Sequence, residues 1–154
     1  MQKTEELFDK WNKKKNEIDI FCDGFKKVVV WEIWICNIWV NIGSEISKDW
    51  DFLRPVLIVG NYMWWDLVSI IPFTTQYNKN FSKFLLKIEN HYKIWLSKES
   101  YLSLNNFKTI SKKRLEYKIN NTYKINRYFK LVNQNFINII LEKIINLNKK
   151  ITLR

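Results

Sequence analysis

The chain has 154 residues, a formal net charge of +11, two cysteines, three glycines and two prolines, and 47% of its residues are hydrophobic. That length bounds one domain with room for one appended element, and so apolar a chain with few Gly and Pro builds a core rather than a disordered segment. No apolar run reaches the roughly 18 residues needed to span a bilayer, the charged N-terminus lacks the apolar core of a signal peptide, and Cys22 and Cys36 have neither a CxxC spacing nor partner ligands, so the expectation is a cytosolic protein with no membrane partner, no disulfide framework, no zinc site and two buried thiols.

The first element is a helix over 4–18. Thr4 caps it, Glu5 and Glu6 suit the positive end of the helix dipole, and Lys13, Lys14 and Lys15 supply cations at its end. Its partial stripe of Leu7, Phe8, Trp11 and Ile18 predicts packing on the domain rather than action on a substrate. Residues 28–40 read as a strand that is apolar almost throughout, as expected for one covered on both sides or placed at a dimer interface. A long polar loop over 41–53 carries Glu45, Lys48, Asp49 and Trp50, and loops of that length are often functional. From Arg54 to Thr75, two β-branched apolar runs flank Met63, Trp64 and Trp65, which predicts a β-hairpin.

Beyond the hairpin, Phe81 to Ile88 reads as a strand, His91 to Trp95 is ambiguous and Tyr101 to Ile110 is extended. Ser111 can cap one helical turn formed by Lys112, Lys113 and Arg114, and Asn120-Asn121 marks a turn. Over 126–147, Phe129, Val132, Phe136, Ile139, Ile140 and Ile144 recur at helical spacing, with Asn126 as the cap. Short strands followed by one amphipathic helix predict a mainly β, α+β chain: a small antiparallel β-barrel with a C-terminal helix and an added N-terminal helix. The expected division is an N-terminal helical extension over 1–27 and a barrel domain over 28–154.

Charge is distributed unevenly. Residues 1–107 hold 14 Lys and Arg against 13 Asp and Glu, whereas residues 108–154 hold 12 against 2. So basic a C-terminal third suggests a polyanion: nucleic acid, an anionic membrane or an acidic peptide. A chain rich in Lys, Asn and Ile also accumulates lysine through composition alone, which explains the lysines better than it explains the scarcity of acids.

If the hairpin pairs symmetrically about its loop, Arg54 faces Thr74, with Cβ atoms about 5 Å apart on one face. A guanidinium and a hydroxyl at one end of an apolar hairpin can bind a phosphate; the plainer reading is an ordinary strand with a polar mouth. Lys79, Lys83, Lys108, Lys112 and Arg114 are candidate phosphate contacts, and Trp64, Trp65 and Trp50 are candidate stacking platforms for bases, although core or dimer packing is the commoner use of any single Trp. His91 is the only histidine, which excludes a two-histidine acid–base ribonuclease within one subunit, and no carboxylate cluster suggests a two-metal nuclease.

Four blocks carry a resemblance in order and spacing: Gly43-Ser44-Glu45; Arg54-Pro55-Val56-Leu57-Ile58-Val59; Ile71-Pro72-Phe73-Thr74-Thr75-Gln76; and Lys108-Thr109-Ile110-Ser111-Lys112-Lys113-Arg114-Leu115. With Glu32-Ile33-Trp34 as an opening strand, they resemble the MazF/PemK toxin family over about residues 28–147. The resemblance implies an SH3-like barrel, a homodimer, and a metal-independent endoribonuclease without cofactor. Such an enzyme cleaves single-stranded RNA by attack of the ribose 2′-hydroxyl, leaving a 2′,3′-cyclic phosphate and a 5′-hydroxyl. It also implies an acidic antitoxin as partner. The family's catalytic Arg falls on Arg54 and its hydroxyl on Thr74. Glu45 is the carboxylate placed to assist, or else to pair with Arg54 or Lys48. Ser44, Thr75, Gln76, Lys79, Lys108, Lys112, Arg114, Trp64 and Trp65 are the expected RNA contacts. Where the family often has Gln-Ile-Arg, this chain has Asn106-Phe107-Lys108, which replaces a planar fork of donors with a point charge.

Two other readings use the same residues differently. One keeps the barrel without catalysis, as a nucleic-acid-binding module for RNA or DNA or as a gyrase poison like the related CcdB branch. The other is a basic structural protein on an anionic membrane or ribosomal RNA.

Overall fold

The computed structural model describes residues 5–38, 53–77, 79–88, 98–119 and 138–146. The N-terminal helix α1 covers Glu5–Phe21, with Glu5 and Glu6 in its first turn. It runs three residues past the expected end, so Lys13, Lys14 and Lys15 lie mid-helix rather than at its C-terminus. Trp11 and Ile18, two turns apart, share one buried face with Leu7, Phe8 and Cys22 packed around them. The helix docks on a short turn, Lys112–Arg114, where the Arg114 guanidinium lies 5.5 Å from the Trp11 ring and Lys113 pairs with Asp19 at 2.8 Å. An exposed ion pair contributes at most about 1 kcal/mol. Burial of two large apolar side chains contributes about 1.5–3 kcal/mol each, so Trp11 and Ile18 hold the helix down.

Seven strands follow among the described residues: β1 Ile33–Asn37, β2 Leu53–Tyr62, β3 Leu67–Thr74, β4 Leu85–Lys87, β5 Tyr101–Ser103, β6 Lys108–Ser111 and β7 Leu115–Lys118. All described pairings are antiparallel. The strand order is β4-β5-β3-β2-β1-β7, with β6 pairing β3 beside β5. Among the described residues the two ends of this path, β4 and β7, do not pair, so the expected barrel is a mostly antiparallel sheet that does not close.

The first strand is shorter than its apolar run. Trp31 adopts φ of 75°, a conformation that costs energy for a bulky residue, in a bulged turn where its N–H still donates to the Ile58 carbonyl at 2.7 Å and Ile58 N donates to the Glu32 carbonyl at 2.9 Å. Buried Glu32 secures that turn. Its carboxylate accepts from Val29 N at 3.0 Å and Trp34 Nε1 at 2.8 Å and pairs with Lys118 at 3.2 Å. A buried carboxylate is tolerated only with such partners.

The β2–β3 hairpin is the centre of the sheet. Between Ile58 and Gly60 its register shifts by one residue. A Cβ on Gly60 would come within 3.2 Å of the Ser69 Cβ, so the close approach at this bulge favours glycine. Alternation sends Leu57, Ile71 and Phe73 to one core, shared with Ile33, Leu102 and Leu104, and Val56, Ile58, Val68 and Ile70 to another, shared with Trp34, Cys36, Ile110 and Leu115. The C-terminal helix α2, described over 138–146, packs Ile140 and Ile144 on the first core. The expected helical positions before residue 138 lie outside the described residues. The strand expected over 81–88 is a 3₁₀ turn, Lys79–Phe84, leading into only three strand residues. The stretch expected to be extended from Tyr101 to Ile110 is broken by a 3₁₀ turn, Leu104–Asn106.

Candidate active site

Arg54 is the second residue of β2 and pairs with Cys36 of β1; Thr74 is the last residue of β3 and pairs with Tyr101 of β5. The lower hairpin is in register through Ile58–Ile70, Leu57–Ile71 and Val56–Pro72. Alternation along each strand from the Val56–Pro72 pair gives Arg54 and Thr74 the face shared by Val56, Pro72, Ile58 and Ile70, and the same register carried two residues further would set them opposite each other. There the direct β2–β3 ladder has ended. Pro72 has no N–H to continue it, and β3 passes to β5 through Phe73–Leu102 and Thr74–Tyr101.

Both side chains are half-buried. Burial lowers the Arg54 pKa from its ordinary value, yet a guanidinium remains a cation at neutral pH. Thr74 Oγ1 accepts from Gln76 N at 3.1 Å, a side-chain turn that ends the strand and orients the hydroxyl. The oxygen is the acceptor in that bond, so the hydroxyl proton remains to be donated to another group.

Cys36, across from Arg54, is fully buried. Burial pushes its thiol up to about 12, opposed by the cations of Arg114, Lys108 and Lys26 and reinforced by Glu116. Lys108 lies on β6 and Arg114 in the turn after it. Both side chains are half-buried. Thr75 and Gln76 are exposed immediately beyond Thr74, and Lys79 is exposed at the start of the following 3₁₀ turn.

Other expected contacts lie elsewhere. Lys112 is buried, and its ammonium donates to the Trp65 carbonyl at 2.9 Å. It holds the hairpin tip rather than presenting a charge to solvent. Ser111 caps the Lys112–Arg114 turn as expected, accepting from Lys113 N at 3.1 Å, and donates to Asp66 Oδ2 at 2.6 Å. Trp64 and Trp65 are 95% and 69% exposed, but they sit at the hairpin tip. From Arg54 to Tyr62 is eight strand steps, about 26 Å, so these rings do not share a site with Arg54 and Thr74 on this chain. Ser44 and Glu45 lie outside the described residues, as do Lys48, Asp49, Trp50 and His91. Among the described residues no group of three or more His, Cys, Asp or Glu is arranged to hold a metal ion, and no helix is long and apolar enough to cross a membrane.

Sequence reasoning missed Tyr77, Lys87, Glu99 and Tyr101. Tyr101 faces Thr74 on one side and Lys87 on the other. Its hydroxyl donates to Glu99, which raises the phenol pKa, and Glu99 pairs with Lys87 at 2.8 Å. The three-residue strands β4 and β5 are too short for a period to reveal their register.

Among curated proteins no match is found. Among solved structures the chain is similar to the Mycobacterium tuberculosis toxin MazF-mt6, at 19% identity over 74% of this chain and 91% of that one, with a TM-score of 0.47. It is similar to an endoribonuclease in complex with its cognate antitoxin from a mycobacterial species, at 16% identity over 79% and 97%, with a TM-score of 0.47. A further mycobacterial endoribonuclease is similar at 15% identity over 82% and 95%, with a TM-score of 0.46. The family model described as PemK-like, MazF-like toxin of type II toxin–antitoxin system matches residues 30–144, most of the chain. The chain therefore belongs to the PemK-like, MazF-like toxin family of type II toxin–antitoxin systems.

Proposed function

We propose that this chain is a metal-independent endoribonuclease that cuts single-stranded RNA, mRNA included, by attack of a ribose 2′-hydroxyl on the adjacent phosphate, giving a 2′,3′-cyclic phosphate and a 5′-hydroxyl. It acts in the cytoplasm as a homodimer, and an acidic antitoxin covers its basic surface and silences it. The observation that supports the reading is the hairpin register, in step as far as Val56 and Pro72, whose extension by two residues would bring Arg54 and Thr74 to one face.

The transition state gathers negative charge on the non-bridging phosphate oxygens. Arg54 offers two parallel N–H donors to those oxygens, and Thr74 offers one hydroxyl. Preorganised donors of this kind are worth about 3–4 kcal/mol each in a site shielded from water. Arg54 is assigned to charge stabilisation and not to proton abstraction, because it keeps its proton. Glu45 is the proposed carboxylate that assists the 2′-hydroxyl, with Ser44 beside it. Thr75, Gln76, Lys79, Lys108 and Arg114 are the proposed RNA contacts, with Lys108 and Arg114 adding the positive field felt at Cys36.

The test is cleavage of single-stranded RNA by the purified protein in EDTA, with the ends mapped chemically. The expected products carry cyclic-phosphate and 5′-hydroxyl ends. RNA that is shifted but left whole would make the chain a binding module, and stalled supercoiling with intact RNA would make it a gyrase poison.

A further inference from the structure

Antiparallel partners align side chains into rows across a sheet, each about one strand spacing, or 5 Å, from the next. One such row runs Arg54, Thr74, Tyr101, Lys87 across β2, β3, β5 and β4, the first step by continuation of the hairpin register and the others by direct pairing. Its Tyr101 is buried, and its hydroxyl is anchored on Glu99, which Lys87 holds in turn. Tyr77, three residues after Thr74, lies against Tyr101 with ring centroids 5.4 Å apart and planes inclined by 39°. Tyr77 is nevertheless 58% exposed.

The result is an aromatic ring backed by a second, anchored ring and open to solvent, whose support stands one strand spacing from Thr74. A base stacks on such a ring regardless of its identity, because every base presents a π-face. Trp64 offers a larger ring, but some 26 Å from Arg54 along the strand and, among the described residues, with no second ring behind it.

We propose that Tyr77, backed by Tyr101, is the stacking platform for the nucleobase next to the phosphate held by Arg54 and Thr74. The proposal rests on the ribonuclease reading. Tyr77 is a binding residue in this scheme: it takes no part in proton transfer, and it sets how the strand enters the site.

The test uses the full chain and the RNA sequence at which the wild-type protein is found to cut. A dodecamer of that sequence, made uncleavable by 2′-O-methyl groups and carrying 2-aminopurine beside the cut phosphate, reports stacking by loss of fluorescence. The wild-type protein is expected to quench the probe. Tyr77→Leu keeps an apolar cover on Tyr101 but offers no π-face. It is expected to lose the quench and raise both the probe's Kd and the KM for cleavable RNA about tenfold, with kcat within threefold of wild type. Tyr77→Phe and Tyr77→Trp are expected to keep the quench and the KM. A Tyr77→Leu protein with wild-type quench and KM, in a preparation whose wild type cuts normally, overturns the platform alone. A wild-type protein that cuts no RNA overturns the ribonuclease reading and the platform with it.

Discussion

The two ends of the β2–β3 hairpin differ in what finishes them. The tip, from Tyr62 to Asp66, is latched from outside: Lys112 binds the Trp65 carbonyl, Ser111 binds the Asp66 carboxylate, and Lys112 N donates to Asp66 O at 2.5 Å. Its other side chains, Tyr62, Met63, Trp64 and Trp65, are large, mainly apolar and exposed. The open end is the reverse. There the ladder stops at Pro72, the strands pass to other partners, and an arginine and a threonine remain on one half-buried face. In the sequence, aromatics and cations on either side of the hairpin look like parts of one RNA site. The fold separates them by the length of a strand. At the open end the exposed ring with a second ring behind it is Tyr77, on Tyr101.

The strongest challenge to this contrast acts on the open end. Arg54→Ala and Thr74→Ala should each reduce RNA cleavage by about 10²–10³-fold, the cost of losing one preorganised donor, while thermal melts show both proteins folded. Retained activity in either variant would move the chemistry elsewhere. The next effect belongs to the tip. Lys112→Met keeps the aliphatic stem but removes a charged donor from the Trp65 carbonyl, at a cost of about 1.5–3 kcal/mol in chemical unfolding. RNA affinity at matched salt should be unchanged. A loss of affinity without a loss of stability would make Lys112 a phosphate contact after all.

A third measurement returns to the open end through Cys36. Its thiol is raised from 9.0 to about 12 by burial. The folded state therefore holds this proton more tightly than the unfolded chain. The stability it contributes is complete below about pH 9 and is lost as pH climbs through 12, at up to about 1.4 kcal/mol per pH unit. The slope of stability against pH above 9 should be shallower by that amount in Cys36→Ala than in wild type. Equal slopes would mean that water reaches the strand position opposite Arg54.

The hairpin was legible because its two apolar runs flank a short turn, and the cap at Ser111 because one hydroxyl precedes three turn-forming residues. What stayed hidden depended on partners far along the chain. Nothing in Val28–Trp31 announces that Glu32 will be buried against Lys118 and turn the backbone at Trp31. The helix end at Phe21 is three residues late because Ile18 is a buried contact rather than a terminus, and Asp19 has Lys113 to pair with. Lys112 reads as a surface cation because its acceptor is a backbone carbonyl, to which any residue type contributes equally. Arg54 and Thr74 stand out in the sequence through a family pattern; the contact of Tyr77 with Tyr101 depends on the register of a three-residue strand.

The smallest expected effect tests the contrast most directly. Trp64 is almost wholly exposed, so Trp64→Ala should change stability by no more than about 0.5 kcal/mol. If the two ends act separately, kcat and KM for RNA should both stay within twofold of wild type. The tip still matters physically: Tyr62, Met63, Trp64 and Trp65 form an exposed apolar group of the kind that marks an interaction surface. Its partner should therefore be sought by binding and assembly measurements, in which the same variant has room to fail while catalysis is spared. A tenfold rise in KM for Trp64→Ala, with the protein folded, would instead join both ends of the hairpin in a single RNA path. The strand length that separates them would then have to be bridged by the RNA itself or by a second subunit.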